Sequence, residues 1–290
     1  MPSPRDIRRR IKSIRSTAQI TRAMQMVAAS KMRKAQQATL ATRPFGQLLY
    51  RFQRYATTHA REFTDPLLEA REVRQRAVIL VSTDKGLCGS LNSNLFRLAA
   101  QFDPATTQYI TVGKRAAQFI ARTRRRLAAE FVFPDSPRFA EARPIAALSR
   151  DLFLKGEVDQ VQIAVTHFIN TLTQRPTVVE FLPIGEIKSL IIPGAQSEAD
   201  LAADTSDVLF EPSPGAVLTY LFGHYLNILV YRVLLEAKAS EQSARMVAMT
   251  SATDNATALI QDLTLEYNKL RQGNITKELL EIAGGQLGNN

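Results

Sequence analysis

The densest grouping of residues that could do chemistry is Asp84-Lys85-Gly86-Leu87-Cys88-Gly89-Ser90: two glycines, a thiol, a cation and a serine directly after an apolar run. In that position α/β proteins often hold a phosphate against a helix N-terminus. The spacing is not GxGxxG, and a Walker A loop would need four residues between its first Gly and a Gly-Lys-Ser/Thr. The residues leave two readings, a nucleotide site or a tight strand-to-helix turn in which Cys88 is a small buried residue. As a nucleophile Cys88 would need a nearby base, and neither His59 nor His167 is brought beside it by sequence. With His224 these are the only histidines, too scattered for zinc-ligand spacing, and one cysteine excludes an internal disulfide framework. Arg122-Thr123-Arg124-Arg125-Arg126 closes an amphipathic helical stretch, where such a run complements the helix dipole and faces solvent. No paired carboxylates have acid and base spacing, so the residues propose no active site.

The element that must carry the 84–90 turn is the run from Ala77 to Thr83, continuously apolar to Val81, as a strand buried on both faces reads. Further strands are expected at Gln108–Val112, Phe131–Phe133, Gln160–Thr166 and Thr177–Leu182. Helices are expected between them at Leu91–Gln101, Lys114–Arg124 and Pro144–Lys155. This alternation predicts βαβ units and a parallel sheet. Residues 185–212, rich in Gly, Pro, Asp and Ser without periodicity, read as a surface linker.

The ends differ in kind. Residues 5–43 and 215–290 contain no proline. Residues 1–62 hold 14 Lys and Arg against only Asp6 and Glu62, a net of +12, while residues 215–283 hold 6 against 7. Such a basic arm suits nucleic acid, an anionic membrane surface or an acidic protein. Ile7, Ile11, Ile14, Ala18, Thr21, Gln25, Ala28, Met32 and Ala35 recur at coiled-coil spacing, apolar at first and then small or polar. The same alternation runs from Leu221 through Tyr225, Ile228, Arg232, Leu235, Ala239, Gln242, Met246, Met249, Thr253, Ala256, Ile260, Leu263 and Tyr267 to Leu270. Ser213-Pro214 makes a good cap and first turn, and Gly284-Gly285 a natural stop. A helix over 214–283 would be on the order of 100 Å long and would project from its domain. Its seam is too weak for a coil stable by itself, which makes it a shaft that something else encloses.

The chain has 290 residues, 45% hydrophobic, with a net charge of +10. No stretch suits a membrane span or signal peptide, so a cytoplasmic protein is expected. Two readings compete with a shaft. A nucleic-acid binder would explain the basic arm, which nevertheless lacks interleaved aromatics or a recognisable motif. A nucleotide-dependent enzyme would use the turn at 84–90.

The stretch from Ile11 to Met32, IKSIRSTAQITRAMQMVAASKM, closely resembles the N-terminal signature of the γ subunits of F-type ATP synthases. Residues 239–249, 251–256 and 267–272 are similar to that family's C-terminal signature, and 84–90 to its Asp-Arg-Gly-Leu-Cys-Gly-Gly turn, with Lys85 and Ser90 as departures. The resemblance covers nearly the whole length. It implies an α/β fold with an antiparallel coiled coil of the terminal helices (1–62 and 213–290) and a central Rossmann-like α/β domain with its linker (63–212). It implies a non-catalytic central rotor shaft, binding no cofactor, that couples proton flow through a membrane ring to the cycling of catalytic β subunits. The implied partners are the α and β subunits as an α3β3 hexamer, the ε subunit and the c-ring, with no nucleic acid and no direct membrane insertion. Peripheral placement on the cytoplasmic face of the inner membrane follows. By the same match Met24, Lys31 and Arg33 would meet the acidic lever segment of β, and Arg245, Arg271, Gln272 and Thr276 would contact αβ along and near the top of the shaft. Gly273 stands where the family usually has Ala.

Overall fold

The computed structural model describes residues 3–42, 65–184 and 214–287. The expected linker at 185–212, the Ser213 cap and the helical reading of 43–62 lie outside them. In chain order the elements are α1 (Pro4–Ala41), a single 3-10 turn (Pro66–Leu68), β1 (Arg76–Val81), α2 (Leu91–Ala99), β2 (Thr107–Val112), α3 (Lys114–Arg122), β3 (Arg126–Phe131), α4 (Phe139–Leu154), β4 (Gln160–Phe168), β5 (Gln174–Leu182) and α5 (Pro214–Leu287). The chain divides into two compact units, residues 1–29 with 245–290, and residues 30–244.

In the larger unit the strands run in the order β3-β2-β1-β4-β5. The first four are parallel, and β5 pairs antiparallel with β4. The expected parallel setting fails for β5 because residues 169–173 are too few for a crossover and close a hairpin instead. Alternation along β1 sorts the core into two layers. Ala77, Ile79 and Val81 point into a cluster that contains Ile145 and Phe153 of α4 and Phe222, Leu226 and Leu234 of α5. Val78 and Leu80 point into another with Leu95 of α2 and Ala116 and Ile120 of α3. Each fully buried aliphatic side chain of this kind contributes roughly 1.5–3 kcal/mol.

Two boundaries depart from expectation. β3 occupies Arg126–Phe131, with only Phe131 shared with the predicted Phe131–Phe133. It is an edge strand bonded only to β2, so it tolerates charged and exposed residues that disguise it, while Phe133 leaves the sheet to be buried beyond it. α4 begins five residues before Pro144, because the Glu141 side chain accepts the Arg138 N–H and caps the chain there.

In the smaller unit α1 and α5 lie antiparallel. The Arg8 guanidinium donates to the Tyr267 hydroxyl and sits 5.3 Å from that ring's centre, while the Thr21 and Thr253 hydroxyls share a 2.7 Å hydrogen bond. Every seam position named above is buried or half-buried, from Ile7 and Ala28, each 1% exposed, to Tyr267 and Leu270. In α1 and beyond Thr250 in α5, where exposed residues alternate with them, the 3.5-residue period thus marks what these helices bury, whereas from Leu221 to Thr250 every face of α5 is at least half-buried. By this register Pro4 falls roughly opposite Arg271, and α5 continues to Leu287 beyond the start of its partner. Gly284 and Gly285 do not stop it, because neither takes the left-handed conformation that ends a helix at glycine. The helix is also continuous through Gly273.

Candidate functional site

The 84–90 turn lies at the switch point of the sheet, yet its polar groups are spent on itself. The Thr83 hydroxyl donates to the Lys85 carbonyl at 2.7 Å and accepts from the Asn92 amide at 2.7 Å. Asn92 also reaches the Cys88 sulfur at 3.4 Å, and Asp84 accepts the Lys114 N–H at 2.9 Å, capping α3. Leu87 and Gly89 both adopt positive φ, 63° and 59°, so the chain reverses within three residues. Cys88 is buried, as the structural reading has it. Gly113 is required at the next strand-to-helix junction: its φ is 100°, and a Cβ there would lie 2.4 Å from the Ser82 carbonyl oxygen. Ser82 itself accepts the Ala116 N–H at 2.7 Å. Such side-chain caps fix the helices to the strand ends.

The basic run beyond α3 does not simply face solvent. Arg124 takes a positive φ of 51°, which turns Arg125 inward. Its guanidinium donates to the carbonyls of Phe102 and Ala100, each at 2.9 Å, and to the hydroxyl of Tyr109 at 2.9 Å. Burial pushes the Tyr109 phenol pKa up, opposed by that guanidinium. Helical periodicity could not reveal this, because it depends on where the helix stops.

The residues expected to meet a partner are spread along both helices. Met24 is 39% exposed on α1, and Arg33 is exposed. Lys31 is half-buried, its ammonium 2.5 Å from an Asp135 carboxylate oxygen in the β3–α4 loop. Arg245 is half-buried on α5, while Arg271, Gln272 and Thr276 are all exposed, and the Thr276 hydroxyl donates to the Gln272 carbonyl at 2.9 Å. The structure does not gather these residues into one pocket. They stand at separate positions along α1 and α5. Among the described residues no group of three or more His, Cys, Asp or Glu could hold a metal ion.

Sequence reasoning missed a buried polar band on α5. Lys238, Ser240, Glu241, Gln242 and Ser243 are each 4% exposed or less. Lys238 stands 3.0 Å from a Glu241 carboxylate oxygen, 3.7 Å from Asp135 and 4.7 Å from the centre of the Phe133 ring. The Ser240 hydroxyl donates to the Thr166 carbonyl and the Ser243 hydroxyl to the Thr171 carbonyl, both at 2.8 Å. Glu236 accepts the Phe168 N–H at 3.3 Å and pairs with His167. The Lys31 hydrogen bond, aided by the charges of Lys238 and Lys85, holds the Asp135 carboxyl below its usual pKa. The readable signal was the lack of any large apolar residue from Glu236 to Arg245 in a helix that otherwise covers a core.

A family model described as ATP synthase matches residues 3–287. The chain is 47% identical over 291 residues to the ATP synthase gamma chain of Opitutus terrae, covering 99% of this chain and 98% of that one. It is 42% identical over 291 residues to the ATP synthase gamma chain of Methylacidiphilum infernorum, covering 99% of each. Among solved structures it resembles a chain of the central stalk and c-ring of the Tetrahymena thermophila mitochondrial ATP synthase, at 26% identity and a TM-score of 0.59, covering 80% of this chain and 99% of that one. The fold also matches the rotor of the Euglena gracilis mitochondrial ATP synthase, at 18% identity and a TM-score of 0.65, covering 94% and 98%.

Proposed function

The chain belongs to the ATP synthase gamma-chain family, and from that membership we propose that it is the central rotor shaft of an F1Fo ATP synthase. The observation that carries this reading is the helix pair of the smaller unit. The seam between the two helices holds Ile, Leu and Tyr at one end but only Ala, Thr, Gln and Met over 18–28 and 246–256, where it contributes little burial, and α5 runs on past the start of its partner with Arg271, Gln272, Ile275 and Thr276 exposed. A shaft turning within a ring of nearly equivalent subunits needs such a surface. Small and polar residues keep each resting angle shallow, and the shaft shifts the states around it only by its differential contact with them.

In this role the chain is itself non-catalytic and binds no nucleotide. Its partners are the α and β subunits as an α3β3 hexamer, the ε subunit and the membrane c-ring, through which proton flow turns it. It works as a peripheral component on the cytoplasmic face of the inner membrane. No helix among the described residues is long and apolar enough to cross a membrane, so attachment through the ring is the consistent arrangement. The three-part division into 1–62, 63–212 and 213–290 belongs to the same proposal. The basic arm then meets acidic protein, with Met24, Lys31 and Arg33 facing the lever segment of β and Arg245, Arg271, Gln272 and Thr276 facing αβ higher on the shaft.

The test is a charge reversal in the assembled complex. Because Lys31 is already paired with Asp135, its reversal would also set two acids together; Arg33→Glu is the cleaner probe. It should lower ATP-driven proton pumping relative to ATP hydrolysis, modestly, since a single exposed charge pair contributes little. Unchanged pumping removes Arg33 from the torque path.

A further inference from the structure

We propose that residues 236–243 of α5 form a two-sided polar clamp that fixes the rotational angle of the shaft helix within the α/β domain, so that torque passes between them without slip. The inference rests on the rotor-shaft reading and names the residues through which the domain grips its helix. The interdigitated packing of Phe222, Leu226 and Leu234 in the core already restrains that angle, but apolar attraction itself is non-directional, and the hydrogen-bonding groups farther along α5 add a specific restraint on rotation. Hydrogen bonds weaken steeply with misalignment and therefore do resist it.

The clamp residues fall on two nearly opposed stripes. Glu236, Ser240 and Ser243 follow the i, i+4, i+7 spacing of one helix face. All three engage the backbone around the β4–β5 hairpin: the Phe168 N–H, the Thr166 carbonyl and the Thr171 carbonyl. The Gln174 side chain adds a 3.4 Å contact to the Ser243 hydroxyl. Lys238 is rotated by roughly 200° from both Glu236 and Ser240, at about 100° per residue. Its ammonium, hydrogen-bonded to Glu241 of the same helix, faces the β3–α4 loop through a 3.7 Å ion pair with Asp135, which also holds Lys31 of α1, and a cation–π contact with Phe133, so this side is restrained by charge and not by a hydrogen bond. Off-axis restraints on opposed sides oppose rotation in both senses, which is what a shaft driven in one direction and loaded in the other requires. Burial keeps water from competing for these bonds: Ser240 and Ser243 are fully buried, and Lys238 is 2% exposed.

The experiment uses the complete complex, with an optical probe attached through Glu157→Cys on the exposed surface of the α/β domain, and reads the angular variance of the probe at each dwell during ATP hydrolysis. Ser240→Ala with Ser243→Ala should widen that variance on the order of twofold with ATP hydrolysis retained, since each lost bond makes a modest contribution. Restoring hydroxyls with Ser240→Thr and Ser243→Thr should return it towards the parent value. Glu236→Ala, which frees the Phe168 N–H at a less buried position, should widen it as well and serves if the double variant does not assemble. Parent-like variance in these variants overturns the clamp. A parent complex whose probe does not rotate at all overturns the rotor-shaft reading, and the clamp with it.

Discussion

Arg125 joins the ends of three elements through one guanidinium: the C-terminus of α2 through the Ala99, Ala100 and Phe102 carbonyls, β2 through Tyr109, and its own place at the start of β3. Its removal takes the donor from the Phe102 and Ala100 carbonyls and one of two partners from the buried Tyr109 hydroxyl, which keeps its own 2.9 Å bond to the Ala99 carbonyl. Arg125→Ala should therefore lower the unfolding free energy by about 2–3 kcal/mol in a urea titration. The residue was legible in the sequence only as one of several arginines, because the left-handed turn at Arg124 that redirects it has no periodic signature. Asp135 is a second case, and its contribution depends on pH. Its folded pKa is depressed by Lys31 first and then by neighbouring lysine charge, so its stabilisation is fully present above the ordinary carboxylate value and fades as pH falls through the lower folded one. Asp135→Asn should be slightly less stable than the parent at neutral pH and should converge with it below about pH 4. With the side chain 52% exposed, solvent screening limits the difference to below about 1 kcal/mol.

Among the elements, α5 best separates what the sequence could tell from what it could not. From Leu221 to Thr250 the helix is covered on every face, while its seam register was readable from Thr253 to Leu270, where exposed positions alternate with it. Its end was not, since a glycine pair stops a helix only where the chain turns left-handed, and Gly284 and Gly285 keep helical geometry. Gly273 is likewise helical, exposed and without any atom within 4 Å of where a Cβ would stand. Gly273→Ala should thus stabilise the end of α5 by about 0.5–1 kcal/mol, visible as slower amide hydrogen exchange across 268–280. A decrease in protection there would mean that the glycine serves a contact and not merely the helix. The sheet follows the same division. β1, β2 and β4 stand within two residues of their expected limits, β1 as an apolar run buried on both faces and β2 and β4 through their clusters of β-branched and aromatic residues. β3, at the open edge, has no such run and was displaced. The polar band at 236–243 leaves only one mark in the sequence, its lack of large apolar residues, and such a stretch looks solvated unless its backbone partners in β4 and the hairpin are known.

For the whole molecule, the central claim is that this chain turns inside a ring of other subunits and makes their catalysis productive. Family membership, the stretch of small residues in the seam and the extension of α5 past the start of α1 agree on it. The most direct measurement is to coexpress the chain with the α and β subunits of the same organism, purify the assembly, and determine its composition and ATPase activity with and without this chain. The account predicts a stable complex containing one copy for every three αβ pairs and an ATPase activity that requires it. A chain that purifies alone and leaves the activity of α and β unchanged would contradict it.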